Sequence, residues 1–385
     1  MRHVGLVATF AAVALGAGCH RGHGDALDAA DARAADAATG DATSIDGSPD
    51  DASADASAID ASAIDASAID ARVLDASPDA SLTPMTLDDT GLCVDAACTQ
   101  IAAGVRAFAP RWTLWSDGET KRRWIYLPPG TQIDTADMNN WHFPVGTRLW
   151  KEFTRAGIRI ETRLYWKQGP SEDDWYQVAF VWNASQDQAI ATPAGVYNVN
   201  GTPHDVPSRD ECKHCHERTE GRILGFSALQ LDWDAPATDL DLADLVAQGA
   251  LTAPPTTSGS GPYFPLWPDA SANDVAALGY LHANCGHCHN AGSDVYAICP
   301  RIFKLDVGQR ASKASTFTYS TTVNQTPSIT VSGATFVVSP TDPDHSALLL
   351  HFIAANGAER MPPIATELVD PTGEAILRDW IAQMN

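Results

Sequence analysis

The sequence predicts an α+β multidomain chain: an all-β, sandwich-like domain followed by a mainly α-helical region. Three observations carry this reading. Apolar and polar residues alternate with a period of two through 158–182, apolar residues recur at helical spacing in 272–284 and 371–384, and a low-complexity segment precedes both. The chain has 385 residues, 44% of them hydrophobic, which suffices for real cores in two or three domains. Its net charge of −23 argues against nucleic acid or an anionic membrane surface as a partner.

The chain starts with Met1-Arg2-His3, continues apolar from Val4 to Leu15, and reaches Gly16-Ala17-Gly18-Cys19. About 20 apolar residues are needed to span a bilayer, so this run reads as a signal peptide. Its end resembles a bacterial lipoprotein cleavage box. Residues 1–19 are thus expected to be a lipoprotein signal with Cys19 lipidated; plain secretory cleavage is the alternative. No other stretch predicts a transmembrane helix, so a lipid anchor would be the only membrane attachment. Residues 20–84 read as a disordered Asp/Ala/Ser-rich tether, in which Asp-Ala-Ser-Ala-Ile repeats from Asp55, Asp60 and Asp65. The segment carries fourteen Asp, no Glu and three Arg, so about half of the chain's negative charge lies in it. It lacks the apolar surface that would offset its conformational entropy, and its like charges extend it.

Residues 85–205 form the expected β domain. Eight of the eleven tryptophans lie between Trp112 and Trp182. Ile158, Ile160, Thr162, Leu164 and Trp166 alternate with Arg159, Glu161, Arg163 and Tyr165, and Tyr176, Val178, Phe180 and Trp182 form a second such run. Turn residues separate the runs at Pro128-Pro129-Gly130, Val145-Gly146-Thr147, Gln168-Gly169-Pro170 and Pro193-Ala194-Gly195. The outcome expected is a sandwich of about seven or eight strands. The aromatics fill its core or, alternatively, line a sugar-binding face. The run Glu119-Lys121-Arg122-Arg123 reads as a solvated strand edge or face, and Asp117 with Glu119 carries no catalytic signature. Cys93 and Cys98 are close in sequence and predict a small disulfide in an oxidising compartment. With Cys19 lipidated and Cys212, Cys215, Cys285 and Cys288 otherwise engaged, Cys299 is left without a disulfide partner; a pairing with Cys93 or Cys98 is the alternative.

Two pentapeptides carry the chemistry: Cys212-Lys213-His214-Cys215-His216 and Cys285-Gly286-His287-Cys288-His289. Each is C-x-x-C-H, the attachment pattern of a c-type haem. Two cysteines three apart present their sulfurs to the two vinyl groups of one porphyrin, and the adjacent histidine reaches the iron. The motifs therefore predict two covalently attached haem c groups, held by Cys212, Cys215, Cys285 and Cys288, with His216 and His289 on iron. Half a zinc site and a redox dithiol are the alternatives; the following histidine and the repetition argue against both. The first motif lies in a segment spanning 206–257, followed by a helix bearing Leu240, Leu242, Leu245 and Val246. Residues 258–385 hold the second. There, a helix over 272–284 runs into Cys285, Asp342-Pro343 suits the start of another, and Asp370-Pro371 begins a last helix with Ile376, Leu377, Trp380, Ile381 and Met384 as its apolar stripe.

This order, with Arg360-Met361-Pro362-Pro363 ahead of the terminal helix, resembles a class I cytochrome c domain. The resemblance implies Met361 as the distal iron ligand opposite His289, and Pro300 as the residue whose carbonyl orients that histidine. A thioether ligand stabilises ferrous iron. Residues 85–385 as a whole resemble a family of bacterial dihaem c-type cytochromes. The phrases that carry this are Leu114-Trp115-Ser116-Asp117-Gly118, Phe143-Pro144-Val145-Gly146-Thr147, Ile160-Glu161-Thr162-Arg163-Leu164 and Asn284-Cys285-Gly286-His287-Cys288-His289. That family implies a β-rich part ahead of two haems. For the first haem no methionine is at hand between Met138 and Met361; His204, His214 and His282 are its candidate sixth ligands.

The function expected is electron transfer between redox partner proteins of the cell envelope, by an exported protein in the periplasm or at the outer membrane. A substrate-converting enzyme is the less favoured class. Its form would be a haem-dependent, peroxidase-like oxidoreductase with an open first haem. A ligand-binding surface lipoprotein is the third class.

Overall fold

The computed structural model describes residues 84–257, 261–355, 359–363 and 366–384. The expected signal segment with Cys19, and the tether up to residue 83, lie outside them. Seven strands form one sheet: β1 Arg106–Phe108, β2 Thr120–Tyr126, β3 Arg148–Arg155, β4 Ile158–Lys167, β5 Trp175–Trp182, β6 Ala189–Ala191 and β7 Asp239–Leu240. Their order is β6-β5-β4-β3-β2-β1-β7. Every pair is antiparallel except β1 with β7. The architecture is thus mixed α and β.

The expected two-sheet sandwich is not what forms. One sheet is covered on one face by irregular chain and on the other by helices and loops. On the first face Trp124, Trp150, Leu164, Phe180 and Trp182 are buried under Leu87, Leu92 and Cys93. The segment 84–101 supplies the cover that a second sheet would have given, and the Cys93–Cys98 disulfide, with 5.0 Å between its Cα atoms, pins it. These tryptophans are core, which removes them as a sugar-stacking face. On the second face Ile125, Leu149 and Tyr165 pack against Phe226, Leu231, Leu240 and Leu245. These last four come from the chain around the first motif, in which lie α1 Arg209–His216, α2 Ala228–Leu231 and α3 Leu242–Ala247. Leu240, expected in a helix, belongs to β7; Asp241 then caps α3 by accepting the Asp244 N–H.

The charged run of β2 is also corrected. β2 is an interior strand, paired with β1 on one side and β3 on the other. Arg123 is therefore only 7% exposed, and Glu119, just ahead of the strand, 6%, where a solvated edge or face was expected; Arg122 alone of the run is exposed.

The second module follows its sequence closely. α4 Ala272–Asn284 starts at Ser271, whose hydroxyl accepts the Asp274 N–H while Asp274 reaches back. α7 Pro371–Ala382 starts at Asp370. Leu278 and Leu281 of α4 pack with Leu377, Trp380 and Ile381 of α7 and with Met384 beyond it, and the Trp380 indole N–H bonds Asp274 at 3.1 Å. Asp342-Pro343 heads only a 3₁₀ turn, Pro343–His345, before α6 Ala347–Phe352. The buried Ser346 hydroxyl, bonded to the Asp342 carbonyl and the Ser339 N–H, breaks the helix between them. The remaining helix is α5, Phe317–Thr322.

The two halves meet where α4 ends. Trp115 N–H donates to Asn284 Oδ1 at 2.7 Å, and Asn284 Nδ2 donates to the Thr113 carbonyl at 3.2 Å. Trp112 lies on Gly279, where an added Cβ would fall inside the indole ring. Gly279→Ala should therefore cost roughly 1–3 kcal/mol by overpacking, read as a lower urea midpoint. An unchanged midpoint would mean that Trp112 does not hold this contact.

Candidate functional site

The first motif lies on α1, which Ser208 and Glu211 cap reciprocally. Cys212 and Cys215 are three apart, hence close to one helix face, and both are half-buried thiols. Burial pushes Cys212 up to about 11. His216 ends the helix. Its Nδ1 lies 2.6 Å from the Arg222 carbonyl, which can only accept, so the ring proton sits on Nδ1 and Nε2 keeps its lone pair. Gly221 and Arg222, with φ of +77° and +63°, make the turn that aims this carbonyl. Burial brings His216 down to about 4, so the imidazole is neutral at neutral pH. A neutral ring with Nδ1 tied to a carbonyl is the form a metal-ligating histidine takes. The ring also stacks on Tyr165 at 4.1 Å.

The second motif follows α4 directly. His289 N–H bonds the Cys285 carbonyl at 2.8 Å, and its carbonyl accepts the Phe303 N–H at 2.9 Å. Phe303 meets the His289 ring edge-on. Burial pushes Cys285 up to about 12. His289 Nδ1 is a buried nitrogen without a hydrogen-bond partner. The Pro300 carbonyl accepts from Arg301 instead, so the expected Pro300 support for His289 is not formed.

The fold brings the two motifs together. Cys215 and Cys288 are in hydrogen-bond contact, which holds the Cys215 thiol well below the usual cysteine range and raises that of Cys288. The loop after α1 is tied to the second motif: Thr219 Oγ1 donates to the His287 carbonyl at 3.1 Å, and Asn290 Nδ2 to the Arg218 carbonyl at 2.9 Å. Arg218 pairs with Asp294 at 2.7 Å. Nothing in the sequence marked Thr219 or Asn290 for this role, beyond each lying close after a motif.

Two of the three histidine candidates for the first site are engaged elsewhere. His204 is buried with Nε2 2.7 Å from Glu161 and Nδ1 3.5 Å from Glu119. Burial works against its charge, but the bonds to Glu119 and Glu161 outweigh it and raise its pKa. His282 Nδ1 accepts the Leu305 N–H at 3.0 Å, which leaves the proton on Nε2. Burial brings it down to about 3. His214 lies two residues before His216 on α1, about 200° around the axis. Met138, His282, Gly286 and His287 line a narrow cavity of about 60 Å³ between the second motif and the loop that follows the first. Met361 lies half-buried in the loop after α6, its N–H donating to the His351 carbonyl at 3.1 Å. Asp117 pairs with Glu367, whose carboxyl burial and the Asp117 bond raise to about 7, and not with Glu119. Cys299 is a half-buried thiol outside any disulfide.

The donors present fit a haem. Each motif offers two half-buried thiols outside any disulfide and, at its end, the imidazole of His216 or His289. A porphyrin supplies four nitrogens to its iron, so one or two axial side chains from the protein suffice. Comparison of the chain with protein-family models, curated proteins and solved structures returns no match.

Proposed function

We propose that the chain is a dihaem c-type cytochrome that passes single electrons between redox partner proteins of the bacterial cell envelope. The observation that supports this most is the contact of Cys215 with Cys288. Groups anchored on touching side chains are close enough to exchange an electron, although their motifs are far apart in the chain. Cys212, Cys215, Cys285 and Cys288 would hold two covalently attached haem c groups. His216 and His289 would supply axial nitrogens, with Met361 as the sixth ligand at the second site by resemblance. Each iron, when bound, supplies a reversible one-electron couple. Arg222 orients His216, while Thr219 and Asn290 fix one motif against the other. A zinc reading needs four closing ligands at each site.

The protein would be exported to the periplasm or outer membrane and anchored through Cys19. The Cys93–Cys98 disulfide accords with an oxidising compartment. No helix among the described residues is long and apolar enough to cross a membrane.

A peroxidase-like reading is favoured by one observation: His204 and His282 each already hold a hydrogen bond to another group, Glu161 and the Leu305 N–H. The test is a pyridine haemochrome assay with electron paramagnetic resonance. Two haems per chain are expected, falling to one in Cys212→Ala/Cys215→Ala; loss of zinc with no change in haem would overturn the proposal. Two low-spin signals would favour electron transfer, and a high-spin first haem the enzyme.

A further inference from the structure

The sheet face beside the first motif carries more positive charge than its own carboxylates balance. Arg123, Lys151 and Arg163 stand directly opposite one another on β2, β3 and β4. Like charges in direct cross-strand register repel. Six basic side chains gather here, Lys121, Arg123, Lys151, Arg155, Arg163 and His204, around three carboxylates, Glu119, Glu161 and, on the Lys121 side, Asp117. Glu119 and Glu161 are each engaged through one oxygen, Glu119 Oε1 with Arg155 and His204 and Glu161 Oε1 with Arg163 and His204, while Oε2 of each is buried without a hydrogen-bond partner. Lys121 donates to the Leu114 and Glu119 carbonyls. Among the described residues Arg123, only 7% exposed, has no hydrogen-bonded or ion-paired partner, and half-buried Lys151 meets only the Phe153 ring, its Nζ 4.8 Å from the centroid. A buried cation is costly unless a counter-charge meets it.

The row adjoins the motif. Tyr165, which stacks on His216, is two residues along β4 from Arg163, roughly 7 Å. Lys151 is within electrostatic range of His216, and Arg163 of Cys212 and Cys215. We infer that Arg123, Lys151 and Arg163 form a binding site for a carboxylate or small oxyanion next to the first motif. The guanidinium forks match such a group bidentately, and Lys151 adds a point charge. The anion has two possible sources. One is a carboxylate of the group attached at Cys212 and Cys215, an arm that rests on the haem reading. The other is a free oxyanion from solution.

The experiment measures the melting temperature of the full haem-loaded chain with sulfate, nitrite and acetate, against Cys212→Ala/Cys215→Ala, each with and without Lys151→Met. A free oxyanion at 100-fold excess over its Kd should raise the melting temperature by about 5 °C in both backgrounds. A carboxylate of the attached group would leave the loaded protein unresponsive and the cysteine variant responsive. In either case Lys151→Met should abolish the response while raising the melting temperature without anion; Lys151→Gln, which removes the charge but stays polar, serves if that variant does not fold. No response in either background, or one that survives removal of the Lys151 charge, would overturn the inference. Haem content is counted separately, so failure of the haem reading shows as absent haem.

Discussion

Replacing Glu161 with alanine is expected to lower folding stability by about 3 kcal/mol, the low end for breaking a buried pair, because Arg163, 25% exposed, loses its carboxylate and buried His204 keeps only Glu119. Glu161 is fully buried, and one of its carboxylate oxygens meets both Arg163 and His204. Burial alone would raise its pKa; Arg163 and then the bond from His204 outweigh it and leave the carboxyl below its ordinary value. Truncation leaves Arg163 in a row that already holds Arg123 and Lys151, with no carboxylate of its own. Urea unfolding of the two proteins at pH 6 measures the loss, and a loss below about 1 kcal/mol would refute the account. Glu161→Met with Arg163→Met should recover much of it, since apolar replacement of a whole buried pair is often neutral or stabilising.

The same cluster sets a pH window. The folded Glu161 pKa lies below its ordinary 4.5, so its contribution is present above 4.5 and is lost as pH falls through the folded value. The folded His204 pKa lies above its ordinary 6.5, so its contribution is present below 6.5 and is lost as pH rises through the folded value. The cluster is therefore most stabilising between about pH 5 and 6.5, and Glu161→Ala should flatten both flanks of the stability profile.

What the sequence revealed depended on whether local pattern or long-range packing decided the outcome. The apolar spacing over 272–284 and Asp370-Pro371 are local signals, and α4 and α7 form where they predict. The alternation of β4 and β5 was equally plain. The pairing of those strands into one sheet was not, because a period of two reports that a face is covered and not by what. Leu87, Leu92 and Cys93 cover the tryptophans from a segment with no alternation of its own. The charges of β2 misled for a related reason. Lys121 and Arg123 look like a solvent face until β3 and β4 place Lys151, Glu161 and Arg163 beside them. At the site, both C-x-x-C-H motifs were legible residue by residue. Their contact through Cys215 and Cys288 depends on β7 and α3 returning the chain to the sheet, which no motif encodes.

Replacing Met361 with alanine is expected to lower the reduction potential of the second haem by on the order of 0.1 V or more, within the ~0.8 V that axial ligation spans. The reasoning rests on the haem reading and on the order of elements that α4, Cys285 to His289, the Met361 loop and α7 preserve. A thioether favours the ferrous state; water or an imidazole in its place favours the ferric one. Attachment should be untouched, since Cys285 and Cys288 lie on the other side of the sequence from this loop, and the haem count per chain checks that directly. The first haem serves as the internal control. Its potential should move far less than that of the second, though not by zero, because Cys215 and Cys288 touch and a change of charge at one site is felt at the other. Spectroelectrochemical titration resolves the two couples. An unchanged second potential with both haems retained would remove Met361 from the iron, and the Met138 thioether in the cavity beside Gly286 and His287 would then be the next group to replace.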